Sequence, residues 1–218
     1  MYCTQNIIDK WGHYTIDINK KYAHRNGYDF VLIKEPYDAN VTHAWQKIPA
    51  MENLLEKGYD FVFYIDTDAI VNKQNIRIEH FLKKYPNDLL VCSDVGNSNG
   101  KYKINGGVVI ARNTKNAKKL LKRWWELRNT YKEFAYEQWA LSEIYEDKIE
   151  GIPGIKGNKL ISVAPENEFN SLYSEVLNYS KNLDQKPPDH FILHFMAMND
   201  ETRENIFKEY LKNKNKYF

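Results

Sequence analysis

The chain has 218 residues, 43% of them apolar and 28% charged, a length that suits one domain with a real core and a composition that excludes a disordered chain. Thirty-one basic residues face twenty-nine acidic ones, for a net charge of +2, so the basic excess of a nucleic-acid binder is missing. The two cysteines, Cys3 and Cys92, are too few for a disulfide framework or a four-cysteine zinc site and make a reducing compartment the default.

The N-terminal stretch MYCTQNIIDKWGH has no basic region followed by an apolar run, so it does not read as a secretory signal. No segment approaches the ~18 continuous apolar residues of a membrane span. A helical pattern over 6–25 leads to FVLI (30–33), the first expected strand, and a second over 46–57 leads to FVFYI (61–65). LLVC (89–92) and VVIA (108–111) follow as strands, then helical patterns over 114–129 and 135–146. LISVA (160–164), FILHF (191–195) and a last helix over 201–213 complete the series. The strand candidates are short, β-branched or aromatic and nearly continuous, as in strands covered on both faces. Their alternation with helices predicts an α/β domain over 1–218, with a mostly parallel central sheet flanked by helices.

Two joints echo each other. Asn26-Gly27-Tyr28-Asp29-Phe30-Val31 resembles Lys57-Gly58-Tyr59-Asp60-Phe61-Val62, each where a helix hands over to a strand. Gly27 and Gly58 are expected just past helix ends, where positive φ carries no Cβ clash. No third copy exists, so this is not a solenoid repeat. Loops are expected over 94–106, over 149–158 with Pro153, and over 180–189 ending in Pro187-Pro188. Loops of this length in a compact domain are often binding loops or lids.

The strongest chemical signal is Tyr64-Ile65-Asp66-Thr67-Asp68-Ala69, an apolar strand running into two carboxylates. Side chains i and i+2 of a strand point the same way, so Asp66 and Asp68 can address one hard cation. Such a cation bridges phosphates and offsets charge on a leaving group. The plainer alternative is a pair of turn-capping aspartates. His194, inside FILHF, can complete the site as a neutral imidazole ligand or can be a core histidine bonded to backbone. The His190-x3-His194 spacing also suits zinc, but no cysteine pair or His-Glu-x-x-His accompanies it.

Asn105-Gly106-Gly107 leads into VVIA, where glycines permit close backbone approach and Asn offers a donor and an acceptor. A simple loop running into a strand explains it equally. Glu137 and Gln138 open a helical pattern, and the helix dipole alone accounts for an early Glu. Glu137 otherwise serves as a general base for a hydroxyl or as a sugar ligand. Asp94 is the rival base, but it begins a Gly/Asn-rich loop, a poorer platform than a helix start. The sixteen tyrosines include faces able to stack on sugars, though most are expected in the core.

In order, Lys47-Ile48-Pro49-Ala50, Tyr64 to Ala69, Asn105-Gly106-Gly107, Glu137-Gln138-Trp139-Ala140-Leu141 and His194-Phe195 resemble the galactosyl-, mannosyl- and xylosyltransferase family of GT-A fold enzymes. That family shows a Lys-x-Pro helix start, an Asp-x-Asp strand end, an Asn-x-Gly strand start, an Asp/Glu-Gln-x-Ala-Leu helix and a late His-Phe. The resemblance covers residues 20–200 and implies a nucleotide-diphospho-sugar transferase fold. It implies Mn2+ or Mg2+ on Asp66, Asp68 and His194, and catalytic roles for Glu137, Gln138 or Asp94. Donor contacts are implied for Lys47, Tyr64, Thr67, Asn105, Gly106 and Gly107. Cys3 and Thr4 stand where a longer first strand usually cradles the base. A UDP-sugar donor, a glycan or glycoprotein acceptor and a soluble, cytoplasmic or excised catalytic domain follow from the same likeness. The short layout resembles viral and bacterial members. The family's Lys after the late His, which holds the diphosphate, is replaced here by Met196-Ala197-Met198-Asn199, and Arg203, the nearest cation, is the candidate donor contact in its place.

Two other functions share part of this pattern. A metal-dependent phosphotransferase or nuclease also uses paired strand-end aspartates, but a nuclease needs a basic groove that the balanced charge does not favour. A non-catalytic sugar-binding module is usually all-β, which the α/β alternation opposes.

Overall fold

A computed structural model describes residues 1–94, 100–171 and 173–217, with side chains through Asn213. A helix begins as α1 (Gln5–Ile7), loosens into a π turn over Ile8–Gly12 and resumes as α2 (His13–Asn26). A 3-10 turn, His43–Gln46, leads through α3 (Lys47–Glu56) to β1 (Phe61–Ile65) and β2 (Ala69–Val71). Next come α4 (Ile78–Lys84), β3 (Leu89–Ser93), β4 (Ile104–Arg112), α5 (Lys115–Glu126) and α6 (Tyr136–Tyr145). The chain ends with α7 (Gly157–Leu160), β5 (Ile161–Ala164), α8 (Tyr173–Ser180), β6 (Ile192–His194) and α9 (Asp200–Tyr217).

The central sheet has the order β1-β4-β3-β5, and β2 pairs with β6 in a second, two-stranded sheet. The sheet is mixed and not mostly parallel: β4 runs antiparallel to both β1 and β3, and β3 pairs in parallel with β5. The reason lies in the connection 94–103. A parallel return needs a crossover of about a dozen residues or more, usually helical, whereas an antiparallel neighbour is reached by a shorter reversal. FVLI (30–33) is also not a strand among the described residues. It is tied to Met1–Cys3 by one parallel bridge, Tyr2 to Ile33, and by backbone bonds at Val31 and Ile33, too few for a strand ladder.

Alternation sorts the strands between two cores, because successive side chains leave opposite faces. Val62, Tyr64, Val109 and Ala111 face one side with Ile48, Met51, Leu55, Leu120, Leu121 and Trp124 of α3 and α5. Ile65, Val108 and Ile110 face the other with Tyr22, Phe81, Phe169 and Phe191. Each fully buried Val, Leu, Ile, Met or Phe side chain among these contributes about 1.5–3 kcal/mol. A third cluster joins Trp11, Ile70, Leu193, Phe195 and Phe207, clamping α9 over the small sheet. Gly27 and Gly58 take φ of +75° and +94°, each just past a helix end as expected, though only the joint at Gly58 leads into a strand. No described helix is long and apolar enough to cross a membrane.

Candidate active site

The site lies where the chain leaves one sheet for the other. β1 ends at Ile65, and Asp66 adds one more rung by donating its N–H to Gly107 O at 2.8 Å. The chain then turns through Thr67 into β2. The antiparallel register sets Ala69 opposite His194, and Phe195 N donates to Asp68 O at 2.8 Å. His194 Nε2 therefore stands 3.2 Å from Asp68 Oδ1. One ligand atom from each of Asp66, Asp68 and His194 falls within 4.8 Å of the others. Two carboxylate oxygens and one imidazole nitrogen suit a divalent cation.

Gly107 makes room for this cluster. A Cβ there would lie 2.2 Å from His194 Cε1 and 2.9 Å from Asp66 Oδ2. The residues that read as a loop, Asn105 and Gly106, belong to β4, which begins at Ile104. The β3–β4 register shifts between Leu90 and Cys92 and re-pairs Cys92 with Asn105. Bulges of this kind re-aim side chains beside active sites.

Behind the carboxylates sits Lys47, only 1% exposed. Its ammonium donates to Gly106 O at 2.7 Å and to Glu137 Oε1 at 2.8 Å, and reaches Asp66 Oδ1 at 3.4 Å. It also stands 5.4 Å above the Tyr64 ring. Burial disfavours the ammonium, but Asp66 and Glu137 outweigh this and raise its pKa. Burial and the Asp66 charge push the Tyr64 phenol far up. Glu137, the expected base, is 4% exposed and tied to Lys47. Its position in the first turn of α6 therefore does more than answer the helix dipole.

Beside Gly106 a polar network closes on itself. Gln138 Oε1 accepts from Gly106 N at 2.9 Å, and Gln138 Nε2 donates to Asp94 Oδ2 at 3.1 Å. Asn105 Nδ2 donates to Asp94 Oδ1 at 3.2 Å, and Asn105 Oδ1 accepts from Gly107 N at 3.0 Å. Asp94 was expected at the start of a loose loop; it is instead 4% exposed and held at both oxygens. Residues 95–99 of that expected loop lie outside the described residues.

On the other side, Arg203 of α9 donates from Nη2 to Asp68 Oδ2 at 2.7 Å and from Nε to Phe195 O at 3.1 Å. Its guanidinium lies 5.1 Å from the Trp11 ring centroid. Trp11, in the π turn, donates to Asp200 at 2.9 Å, and Lys10 donates to the same carboxylate at 2.7 Å. The two aspartates thus feel different fields. Burial pushes the Asp66 carboxyl above its ordinary range, Asp68 and Glu137 add to this, and Lys47 and His194 oppose it. For Asp68 burial pulls the same way, but His194 and Arg203 outweigh it and hold the carboxyl well below its ordinary range.

The N-terminal segment reaches the site through Thr67, whose hydroxyl donates to Tyr2 O at 2.7 Å. The Tyr2 ring stacks on His43 with centroids 5.7 Å apart. Cys3 is buried, and Thr4 O accepts from the N–H groups of Ile7 and Ile8, so both residues brace this segment. His190 is not part of the cluster; its Nε2 pairs with Glu175 of α8 at 2.5 Å.

Sequence reasoning missed Asn170, Ser171 and Trp11. Ser171 Oγ accepts from His194 N at 2.9 Å, and Asn170 Nδ2 donates to Asn105 Oδ1 at 3.0 Å and stands 3.4 Å from His194 Nδ1. These contacts span 23 to 65 residues of sequence, and no local pattern marks them.

Residues 5–205 match the family described as nucleotide-diphospho-sugar transferase. Among solved structures, a glycosyltransferase involved in the glycosylation of the major capsid of PBCV-1 is similar over 94% of each chain, with a TM-score of 0.70 and 23% identity. The apo-form glycosyltransferase GlyE of Streptococcus pneumoniae TIGR4 is similar over 93% of this chain, with a TM-score of 0.51 and 15% identity, and this chain spans 54% of it. These likenesses agree with a GT-A type fold. No curated protein matches.

Proposed function

This chain belongs to the nucleotide-diphospho-sugar transferase family, and on that premise we propose that it moves a sugar from a UDP-sugar to a hydroxyl of a glycan or glycoprotein, using Mn2+ or Mg2+ held by Asp66, Asp68 and His194. The convergence of those three side chains from the β1–β2 turn and from β6 is the observation that carries the reading. The residues fit the ion in chemistry and in space: the donors are hard oxygens and an imidazole, and they can converge because Gly107 carries no Cβ to collide with His194 and Asp66. When bound, the ion supplies positive charge against the departing diphosphate.

The chain's own residues do the rest in this reading. Lys47 holds Asp66 and the Gly106 carbonyl in place, so the carboxylate does not have to reorganise as the donor binds. Glu137 works through Lys47, keeping that ammonium charged and fixed. Asn105, Gln138 and Asp94 form a cross-braced polar wall beside β4 that orients sugar hydroxyls. The Tyr2–Thr67 contact places the N-terminal segment against the Asp-x-Asp turn, where Cys3 and Thr4 bracket the base.

A panel of UDP- and GDP-sugars with Mn2+ tests this, with release of nucleoside diphosphate as the readout. Release from one donor that EDTA abolishes is expected. Release that persists in EDTA, or none from any donor across a glycan acceptor panel, overturns it.

A further inference from the structure

We propose that Arg203 and the divalent cation compete for Asp68, so that filling the metal site releases the Arg203 guanidinium to grip the donor's diphosphate. This rests on the reading that Asp66, Asp68 and His194 hold a cation, and it adds a regulatory step at that site.

Two cations border the cluster, Lys47 at Asp66 and Arg203 at Asp68, and their free donor capacity differs. An ammonium has three N–H donors, and Lys47 spends them on Gly106 O, Glu137 and Asp66 in a nearly sealed position. A guanidinium has five, and the contacts of Arg203 to Asp68 and Phe195 O use two of them. Its side chain is also 16% exposed, against 2% for Lys47. A planar fork with spare N–H groups suits phosphate oxygens better than a saturated point charge.

Only one of the three supports of Arg203 depends on Asp68. The Nε bond to Phe195 O and the Trp11 face remain when Asp68 changes partner. Trp11 is fixed independently through Asp200 and Lys10. The stem of Arg203 is thus anchored while its outer nitrogens are exchangeable. A dication sharing Asp68 with the guanidinium would repel it at close range. Without the cation, the ion pair neutralises the charge that a diphosphate needs. Cation binding therefore strengthens nucleotide binding.

The test uses the intact chain and Arg203→Gln. Mn2+ binding without nucleotide is read from the EPR signal of free Mn2+, and UDP binding by calorimetry with and without Mn2+. Removing the competing cation makes Mn2+ alone bind about threefold to tenfold tighter, while UDP binds the Mn2+-loaded variant about tenfold weaker or worse. Mn2+ affinity that is unchanged or reduced in the variant overturns the proposal and leaves Arg203 a brace for Asp68. Because the variant can fail to fold, phenylglyoxal labelling of the wild-type chain, read at Arg203 by mass spectrometry, gives a second measure. Mn2+ should speed labelling and UDP with Mn2+ should suppress it; labelling indifferent to Mn2+ refutes the exchange. A wild-type chain that binds no Mn2+ fails the metal reading itself, whereas one that binds Mn2+ with no opposing shifts in the variant fails only this inference.

Discussion

Gly107→Ala is the sharpest probe of the site, because it adds one methyl group and touches no ligand chemically. The new Cβ would lie 2.2 Å from His194 Cε1, 2.9 Å from Asp66 Oδ2 and 3.0 Å from His194 Nε2. Non-bonded carbons settle at about 3.5–4.0 Å, so something must retreat by more than about 1 Å. The backbone of β4 is the stiffer side: it pairs with β1 and β3, and Gly107 is further held through Asp66 N and Asn105 Oδ1. The His194 ring and the Asp66 carboxylate must therefore move. Overpacking of this kind destabilises by about 1–3 kcal/mol, and a catalytic group misplaced by about 1 Å loses on the order of 100-fold in rate. Thermal melts, Mn2+ binding by EPR and nucleoside diphosphate release should be measured together. A fall of a few degrees in Tm with near-complete loss of Mn2+ affinity is expected. Gly27→Ala is the control: its φ is +75° but nothing lies within 4 Å of the new Cβ. It should lose about 1 kcal/mol of stability to left-handed strain and keep its Mn2+ affinity. Wild-type Mn2+ affinity in Gly107→Ala would refute the argument.

Three further outcomes follow from the same geometry. Asp68→Ala should lower turnover by more than about 100-fold while the domain still folds, checked by circular dichroism beside the donor assay; loss of fold would mean that Asp68 is chiefly the partner of Arg203. Glu137→Gln removes one of the two carboxylates around a buried ammonium and should destabilise by about 1–3 kcal/mol. It should also cut transfer far more than UDP affinity, and unchanged transfer and melting would return Glu137 to a plain helix-dipole role. Glu79 concerns acid stability alone: Arg77, with help from Tyr28, holds its carboxyl down from 4.5 to about 2. A depressed folded pKa means the contribution is complete above pH 4.5 and fades as pH falls toward 2. Glu79→Gln should therefore flatten stability across that window, by less than about 1 kcal/mol because the pair is half exposed.

Much of this site was legible where chemistry and local geometry coincide. Asp66 and Asp68 were legible as a carboxylate pair closing a five-residue apolar strand, but β1 ends at Ile65, so the turn into β2, and not a shared strand face, brings them together. Gly27 and Gly58 were legible because a helix end demands a backbone that other residues resist. Strand direction was not, because hydrophobic periodicity is the same whichever way β4 runs. The 30–33 segment has the composition of a strand, yet pairing depends on what lies beside it, and its backbone bonds go to the short Met1–Cys3 stretch. Asp94 seemed loose because Gly and Asn follow it, but Asn105 and Gln138 grip it from β4 and α6. The Lys47–Glu137 contact joins positions 90 apart, and only the folded chain brings them together.

The position of Asp66-Thr67-Asp68 explains why two carboxylates so close in sequence behave differently. The tripeptide spans the step from the four-stranded sheet to the two-stranded one, so its members answer to different neighbours. Asp66 still belongs to the β1–β4 ladder and is served from behind by Lys47, an ammonium buried against the Tyr64 ring. Asp68 already belongs to the β2–β6 pair and is served by His194 and Arg203, which arrive late in the chain. The inner cation is saturated and cannot leave without stranding Glu137; the outer one keeps unused donors and a path to solvent. Under the proposed function, one counter-charge of each kind would suit a site that holds a metal while admitting and releasing a charged nucleotide. The break between sheets lets a single Asp-x-Asp turn meet both.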